Sequence, residues 1–302
     1  MLDVIIIGGG PSGITAGIYA KRSGLDAIII EKSNVGGQVI NTYEIKNFPS
    51  YTNISGADFC MKLYEQADYN GLKIVNDEVV SCDFTKKEKV VKTANAEYKA
   101  KSVIICCGTK PRTLGIENEQ KFIGRGISFC ALCDGNFFKD KTVCVVGGGD
   151  SAMEDAIYLG GICKKVWVLN RSKVLRAQNI LQESLKKNIE QNHNIEILFN
   201  AKVQKLYGEN ALSAIDVDVD GEIKNLNVDG VFLAIGSDPD TKIFEGQINL
   251  DDHGYILVDN KLQTNIEGVF AGGDCTQKLI RQIITACADG AVCATNANSF
   301  LK

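Results

Sequence analysis

Cys130-Ala131-Leu132-Cys133 places two thiols on either side of a dipeptide, and Asp134-Gly135 follows directly. Two cysteines at this spacing can close a small, reducible disulfide ring, and the first thiol of such a pair often ionises more readily than an ordinary cysteine. The spacing points to dithiol–disulfide exchange. Zinc is the competing use of such a pair, but a structural zinc site wants two pairs, or a pair with nearby histidines. This chain has one such pair and two distant histidines, His193 and His253. Asp134 alone could equally be a turn or capping residue.

A dithiol needs an electron source, and a glycine turn begins 14 residues after Cys133: Gly147-Gly148-Gly149-Asp150-Ser151-Ala152. It repeats the grammar of a turn near the N-terminus. There, Val4-Ile5-Ile6-Ile7 leads into Gly8-Gly9-Gly10-Pro11-Ser12-Gly13, then a helix-compatible stretch to Lys21 and the strand Ala27-Ile28-Ile29-Ile30-Glu31. Strand, glycine turn, helix and strand make a dinucleotide cradle. Gly8 permits the tight turn, Gly10 lets backbone approach a pyrophosphate, Gly13 lets helix and strand pack closely, and the helix N-terminus offers free N–H groups. Glu31 ends the second strand, where a carboxylate accepts from a ribose diol. In the second cradle Thr142 to Val146 and Val166 to Leu169 are the strands, and the interval from first glycine to strand end is 23 positions in both, Gly8 to Glu31 and Gly147 to Asn170. Asn170-Arg171 replaces the acid. An arginine there would pair with a ribose 2′-phosphate, so the second cradle leans towards NADP.

Other elements frame these cradles. Ser55-Gly56-Ala57-Asp58 predicts a helix start, with the helix stopping at Gly71. Strands are expected at 72–75, 79–83, 89–93 and, as an apolar run, 102–107. Val103 to Pro111 and Val231 to Pro239 share the order apolar strand, glycine, proline. They read as two crossings between domains, with the second domain inserted into the first. Near the C-terminus Thr264 to Asp274 ends a strand at Gly272-Gly273-Asp274, where a carboxylate could meet a flavin's ribityl hydroxyls.

The 302 residues suffice for two domains, with 45% hydrophobic residues to fill them. A net charge of −4 gives no sign of a nucleic-acid or anionic-membrane partner. No apolar run approaches a membrane span, and Met1-Leu2-Asp3 enters the first strand without room for a signal peptide, so a cytoplasmic protein is expected. Eleven cysteines, an odd number scattered through apolar segments, suit buried thiols in a reducing compartment better than a disulfide framework.

With these residues in view, the chain resembles the flavoprotein disulfide reductases that bind two dinucleotides, and specifically the low-molecular-weight thioredoxin reductases. The resemblance runs through Gly8 to Gly13, Gly36-Gly37-Gln38, Asn47-Phe48-Pro49, Cys130 to Asp134, Gly147 to Ala152, Thr264 to Asp274 and Arg281-Gln282. It implies an α/β fold of two Rossmann-like dinucleotide-binding domains, each with three ββα layers. The NADP domain, residues 114–243 with the CxxC, is inserted into an FAD domain, residues 1–113 and 244–302. It implies FAD on Gly8, Gly10, Pro11, Ser12, Gly13, Glu31, Gly37, Gln38, Asn47, Asp274, Arg281 and Gln282. It implies NADP on Gly147, Gly149, Asp150, Ser151, Ala152, Arg171 and Arg176.

The activity implied is a relay from NADPH through FAD and a Cys130–Cys133 disulfide to thioredoxin or a thioredoxin-like protein. In that relay Cys133 faces the flavin, Cys130 attacks the partner, Asp134 protonates the leaving thiolate, and the NADP domain rotates about the crossings. A homodimer is also implied. One departure stands out: family members that use NADPH read His-Arg-Arg, three residues, then Arg, where this chain has Asn170-Arg171-Ser172-Lys173-Val174-Leu175-Arg176. Relatives with eroded NADPH motifs take electrons from ferredoxin or oxidise dithiols, and these remain alternatives. A flavin redox sensor without turnover is the alternative from another class.

Overall fold

A computed structural model describes residues 1–42, 45 and 47–302. The chain divides into two compact units, Met1–Lys110 with Asp238–Lys302, and Pro111–Ser237.

The first stretch opens with β1 (Leu2–Ile7), α1 (Pro11–Arg22) and β2 (Ala27–Glu31). All of β2 is buried, the environment that an unbroken apolar run requires in a parallel sheet covered on both faces. Helix α2 (Gly56–Tyr69) starts where its sequence predicts: the Ser55 hydroxyl accepts the Asp58 N–H at 3.0 Å. Then come β3 (Lys73–Asn76), β4 (Val79–Asp83), β5 (Lys89–Thr93), β6 (Glu97–Ile105) and β7 (Thr109–Pro111). Strand β6 begins five residues before the apolar run marks it and ends two earlier. Its first half is polar because it pairs antiparallel with β5 and half-faces solvent, whereas Ser102 to Ile105 pair with β1 inside the sheet.

The second unit contains α3 (Glu119–Phe122), β8 (Ile127–Ser128), α4 (Ala131–Asp134), β9 (Thr142–Val146), α5 (Asp150–Gly160) and β10 (Lys165–Asn170). It continues through α6 (Asn179–Asn192), β11 (Ile195–Phe199), β12 (Ala201–Tyr207), β13 (Ala214–Val219), β14 (Glu222–Asn227) and β15 (Gly230–Leu233). A parallel sheet in the order β11-β10-β9-β15-β8 carries the cradle, and β12-β13-β14 form an antiparallel sheet beside it. One apolar core, with Met153, Leu159 and Val168, packs α5 onto the parallel sheet; a second, with Val146, Leu206 and Val217, joins the two sheets.

The chain then returns through β16 (Ser237–Pro239), which pairs with β7, to β17 (Val269–Ala271) and α7 (Ile283–Phe300). The first unit's sheet has the order β3-β2-β1-β6-β5-β4, with β17 parallel to β6. Residues 238–243, assigned by sequence to the inserted domain, fall in the first unit. Asp240 bridges Lys32 at 2.5 Å and Lys110 at 3.0 Å, and Ile243 packs on that unit's core, so local contacts move the boundary. Both units are thus α/β with a parallel sheet.

Asp155 on α5 gives the fold a pH dependence. Burial, and to a lesser degree the neighbouring Glu154, push its carboxyl from 3.8 to about 7. Because the folded chain then binds this proton more tightly than the unfolded chain, the contribution of Asp155 to stability is fully present below the ordinary carboxylate range and is lost as pH rises from about 4 to about 7. Asp155→Asn should leave stability at low pH unchanged and raise it at about pH 8 by on the order of 3 kcal/mol. Urea unfolding at the two pH values checks this; equal gains at both would assign the effect to packing.

Candidate functional site

In the first unit the chain after β1 turns at Gly8, whose φ of +105° favours glycine. A Cβ on Gly13 would sit 1.9 Å from the Gly8 carbonyl oxygen, so that glycine sets the helix-to-turn approach. Gly10 differs: a Cβ there would meet nothing within 4 Å. It is the N-cap of α1 with no side-chain cap, so the helix presents its first N–H groups without a side-chain partner. A cleft of about 250 Å³ opens over this turn, lined in part by Gly8, Gly10, Pro11, Ser12, Gly37, Gln38 and Asp274.

Glu31 also faces the cleft and is 9% exposed. Its Oε2 accepts the Gly9 N–H at 2.6 Å, and its Oε1 accepts from the Ser33 N–H at 2.8 Å and hydroxyl at 3.0 Å. Those bonds fix the carboxylate and leave lone pairs over. Ser33 escaped the sequence reading because nothing marks a serine after a strand end.

The far end of the cleft is built by the loop between β17 and α7. Asp274 Oδ1 is buried and has no hydrogen-bond partner among the described residues. Burial raises the carboxyl's pKa, with the Lys278 and Arg281 charges opposing it. An orphaned buried acceptor is costly, and a ligand hydroxyl would satisfy it. The loop is anchored by Asp289, which accepts the Gly273 N–H at 2.8 Å and forms an ion pair with Lys278. Arg281 stacks over Tyr255 at 4.0 Å and donates through Nε to the Asp274 carbonyl at 3.3 Å. Gln282 caps α7 and accepts from Asn47 Nδ2 at 3.0 Å, so these two sequence-marked residues touch. Gly13, Asn47, Arg281 and Gln282 are not among the cleft's lining residues; Gly13 abuts Gly8 and Arg281 bonds the Asp274 carbonyl, both residues that line it. Sequence reasoning missed Asp289 and Lys278, whose pairing between α7 and the loop before it, 11 residues apart, carries no motif.

In the second unit the turn after β9 repeats the pattern. Gly149 is the N-cap of α5, again without a side-chain cap, and a Cβ on it would meet nothing within 4 Å. Ser151 is exposed on the first turn of α5, and Ala152 is buried beneath it. Asp150 is otherwise engaged: its carboxylate accepts the Gln178 N–H at 2.7 Å and Nε2 at 2.8 Å, which hold it below the usual carboxylate range. Asn170, at the place Glu31 takes in the first unit, is 3% exposed and donates to the Ser172 and Val174 carbonyls, both at 2.9 Å. The Arg176 N–H donates to the Gly148 carbonyl at 2.7 Å. Arg171, Lys173 and Arg176 project from this tethered loop as exposed cations.

The two thiols are joined. Cys130 and Cys133 form a disulfide at the start of α4, and Cys130 Sγ accepts the Cys133 N–H at 3.2 Å. Ser128, buried at the end of β8, ties this ring to the acid: its hydroxyl donates to Asp134 Oδ2 at 2.6 Å and accepts the Cys130 N–H at 3.1 Å. No sequence signal marked Ser128, since it lies on β8, six positions before Asp134 and outside the helix that carries the acid. Leu132, between the cysteines, is 62% exposed, so the ring lies at the surface of its unit.

Pyridine nucleotide-disulphide oxidoreductases as a family match residues 2–290. A thioredoxin reductase of Peptoclostridium acidaminophilum is 41% identical, covering 99% of this chain and 97% of its own length. The chain belongs to the low-molecular-weight thioredoxin reductase family. The solved thioredoxin reductase of Streptococcus pyogenes superposes over 100% of this chain and 98% of its own, with a TM-score of 0.87 and 39% identity. A ferredoxin-flavin thioredoxin reductase of Clostridium acetobutylicum covers 99% of the chain at 28% identity and a TM-score of 0.53. Family membership makes the chain an FAD-dependent disulfide oxidoreductase, and the family draws on FAD and a nicotinamide dinucleotide. No helix among the described residues is long and apolar enough to cross a membrane.

Proposed function

We propose that this protein carries electrons from NADPH, through FAD in its first unit, to the Cys130–Cys133 disulfide, and from that dithiol to thioredoxin or a thioredoxin-like protein. FAD when bound supplies a two-electron carrier that can take a hydride and reduce a disulfide. The orphaned Asp274 Oδ1, the open Gly10 turn and the uncapped α1 fit such a group, with Asp274 receiving hydroxyls and the turn receiving phosphates. Glu31, Gly37, Gln38, Asn47, Arg281 and Gln282 complete its setting. In the second unit the Gly147 to Ala152 turn would hold the pyrophosphate of NADPH, with Arg171 and Arg176 towards its 2′-phosphate.

The observation that carries the reading is the surface disulfide whose acid is held by Ser128. Once the ring is opened, Cys130 attacks a partner disulfide; the S–S bond of the partner breaks, a mixed disulfide forms, and one partner thiolate leaves. Cys133 then attacks Cys130, closing the ring and releasing the second partner thiol. Asp134, positioned by Ser128, supplies the proton for a departing thiolate. A homodimer is part of the same proposal.

Anaerobic titration of the bound flavin with NADPH, NADH, reduced ferredoxin and a reduced dithiol in turn tests the donor. Bleaching by NADPH, followed by thioredoxin reduction, supports the proposal. Bleaching by ferredoxin or a dithiol alone would replace the donor, and absence of thioredoxin reduction under every donor would favour a sensor.

Ser172 makes a graded test of the donor. Its hydroxyl donates to the Val174 carbonyl at 2.8 Å where most NADPH-using relatives would place an arginine. A hydrogen bond to a charged group contributes about 1.5–3 kcal/mol, so Ser172→Arg should tighten NADPH binding by about one to two decades and leave NADH nearly unchanged. Equal effects on both nucleotides would show that position 172 does not read the 2′-phosphate.

A further inference from the structure

Asp150 opens α5 with a carboxylate, inside the phosphate turn of the second cradle. At the corresponding first helical position the first unit has Pro11, which carries no side-chain acceptor. Phosphate binding does not ask for an acid there, since a negative charge beside a pyrophosphate repels it. Both carboxylate oxygens are committed elsewhere. Oδ1 accepts the Gln178 N–H at 2.7 Å and Oδ2 accepts from Gln178 Nε2 at 2.8 Å, a two-point contact between residues 28 positions apart. The same two donors hold the carboxyl below the usual carboxylate range.

Gln178 closes the segment that displays the exposed cations. It is the N-cap of α6, and Ala177 before it is buried in the core between α5 and the parallel sheet. The Gly148 carbonyl receives the N–H groups of Arg176 at 2.7 Å and Ala177 at 3.2 Å, and Gln182 Nε2 donates to the Ala177 carbonyl at 2.7 Å. At the segment's other end Asn170 abuts the same glycine, where a Cβ would lie 2.2 Å from Asn170 Oδ1. Residues 171–176 have no regular structure of their own, so they hang between two anchorages on one turn. Freedom left in such a segment is lost when its long cationic side chains engage an anion, which weakens binding. Fixing both ends beforehand removes that loss.

We propose that Asp150 is a positioning residue for nucleotide discrimination: it clamps Gln178 onto the phosphate turn and so holds Arg171 and Arg176 where a ribose 2′-phosphate can be read. The inference rests on the reading of the second cradle as the NADPH site. Asp150 acts through Gln178 rather than on the nucleotide. Two opposed effects follow. Its charge disfavours every dinucleotide alike, whereas its clamp favours only the one that bears the additional phosphate.

NADP+ and NAD+ differ only in that phosphate, so calorimetric titration of the oxidised, FAD-loaded protein with each reads the preference directly. Asp150→Ala should weaken NADP+ and leave NAD+ unchanged or slightly tighter, lowering the preference for NADP+ by about tenfold. Asp150→Asn can accept the Gln178 N–H through Oδ1 and donate through Nδ2 to a turned Gln178 Oε1. It should keep the parental preference while tightening both nucleotides. Gln178→Ala removes one of the two contacts and no charge, and should lower the preference by less than Asp150→Ala does. Retained NAD+ binding shows in each variant that the unit is folded. A parent that binds NADP+ and NAD+ alike would refute the NADPH reading and this proposal with it. A discriminating parent beside an equally discriminating Asp150→Ala would overturn the clamp and leave that reading intact. A preference lost in Asp150→Asn as fully as in Asp150→Ala would also overturn it, because the bonds are kept there and only the charge is gone. Should Asp150→Ala lose both nucleotides, Gln178→Ala decides: a lowered preference supports the clamp and an unchanged one overturns it.

Discussion

Cys130→Ser and Cys133→Ser should each reduce steady-state disulfide turnover to below about a thousandth of the parent rate, because two sulfurs that exchange one bond act as a unit. Their single-turnover behaviour should differ. The Cys133 N–H points at Cys130 Sγ from 3.2 Å, and Cys130 is the sulfur assigned to the partner in the proposed exchange. Cys133→Ser should therefore retain the attacking sulfur and trap a thioredoxin as a mixed disulfide, whereas Cys130→Ser should not. A non-reducing gel with a thioredoxin whose single remaining cysteine carries a thionitrobenzoate group reads this directly: attack breaks that S–S bond, joins the two proteins and releases thionitrobenzoate. Trapping by Cys130→Ser alone would reverse the roles, and turnover surviving in both variants would remove the ring from the reaction.

Gly10→Ala and Gly13→Ala should separate binding from folding. Gly10 has φ −75° and ψ −177°, values open to alanine, and its Cβ would enter space free of protein atoms to 4 Å. The apo chain should be unharmed or gain about 0.4–1 kcal/mol from a stiffer unfolded chain. If that space is where a pyrophosphate lies, overpacking of about 1–3 kcal/mol should weaken FAD by about 5- to 150-fold. Gly13→Ala instead drives a methyl into the Gly8 carbonyl and should destabilise the fold itself. Flavin retention with urea midpoints distinguishes the two. Unchanged FAD affinity in Gly10→Ala would move the cofactor away from the turn.

The elements around the cradles were legible because local chemistry dictates them. A strand buried on both faces must be apolar throughout, a turn at positive φ favours glycine, and a helix start wants Ser55, so β1, β2, α1 and α2 could be read directly from the residues. The polar half of β6 was not legible, since its place depends on β5 rather than on its own hydrophobicity. The site divides similarly. Asn47 with Gln282 and Asp274 with Arg281 carry family motifs, but the contacts of Ser128 and of Asp289 are made between elements that their own spacing does not mark. Sequence spacing holds no record of such contacts.

The two cradles end their second strands with side chains that answer to different masters. Glu31 turns to its own glycine loop and the cleft, while Asn170 spends its amide on the carbonyls of Ser172 and Val174 and so suspends the segment that displays Arg171 and Arg176. On the proposed reading of the second cradle, nucleotide preference is therefore not a cassette that could be exchanged by copying an acid from one half to the other. A carboxylate at position 170 would have no N–H to offer those carbonyls, and the cationic segment would come adrift before any ribose was recognised. Residues 170–176 would then have to be transplanted as one piece to recode the donor, with the turn whose Gly148 carbonyl receives the Arg176 N–H.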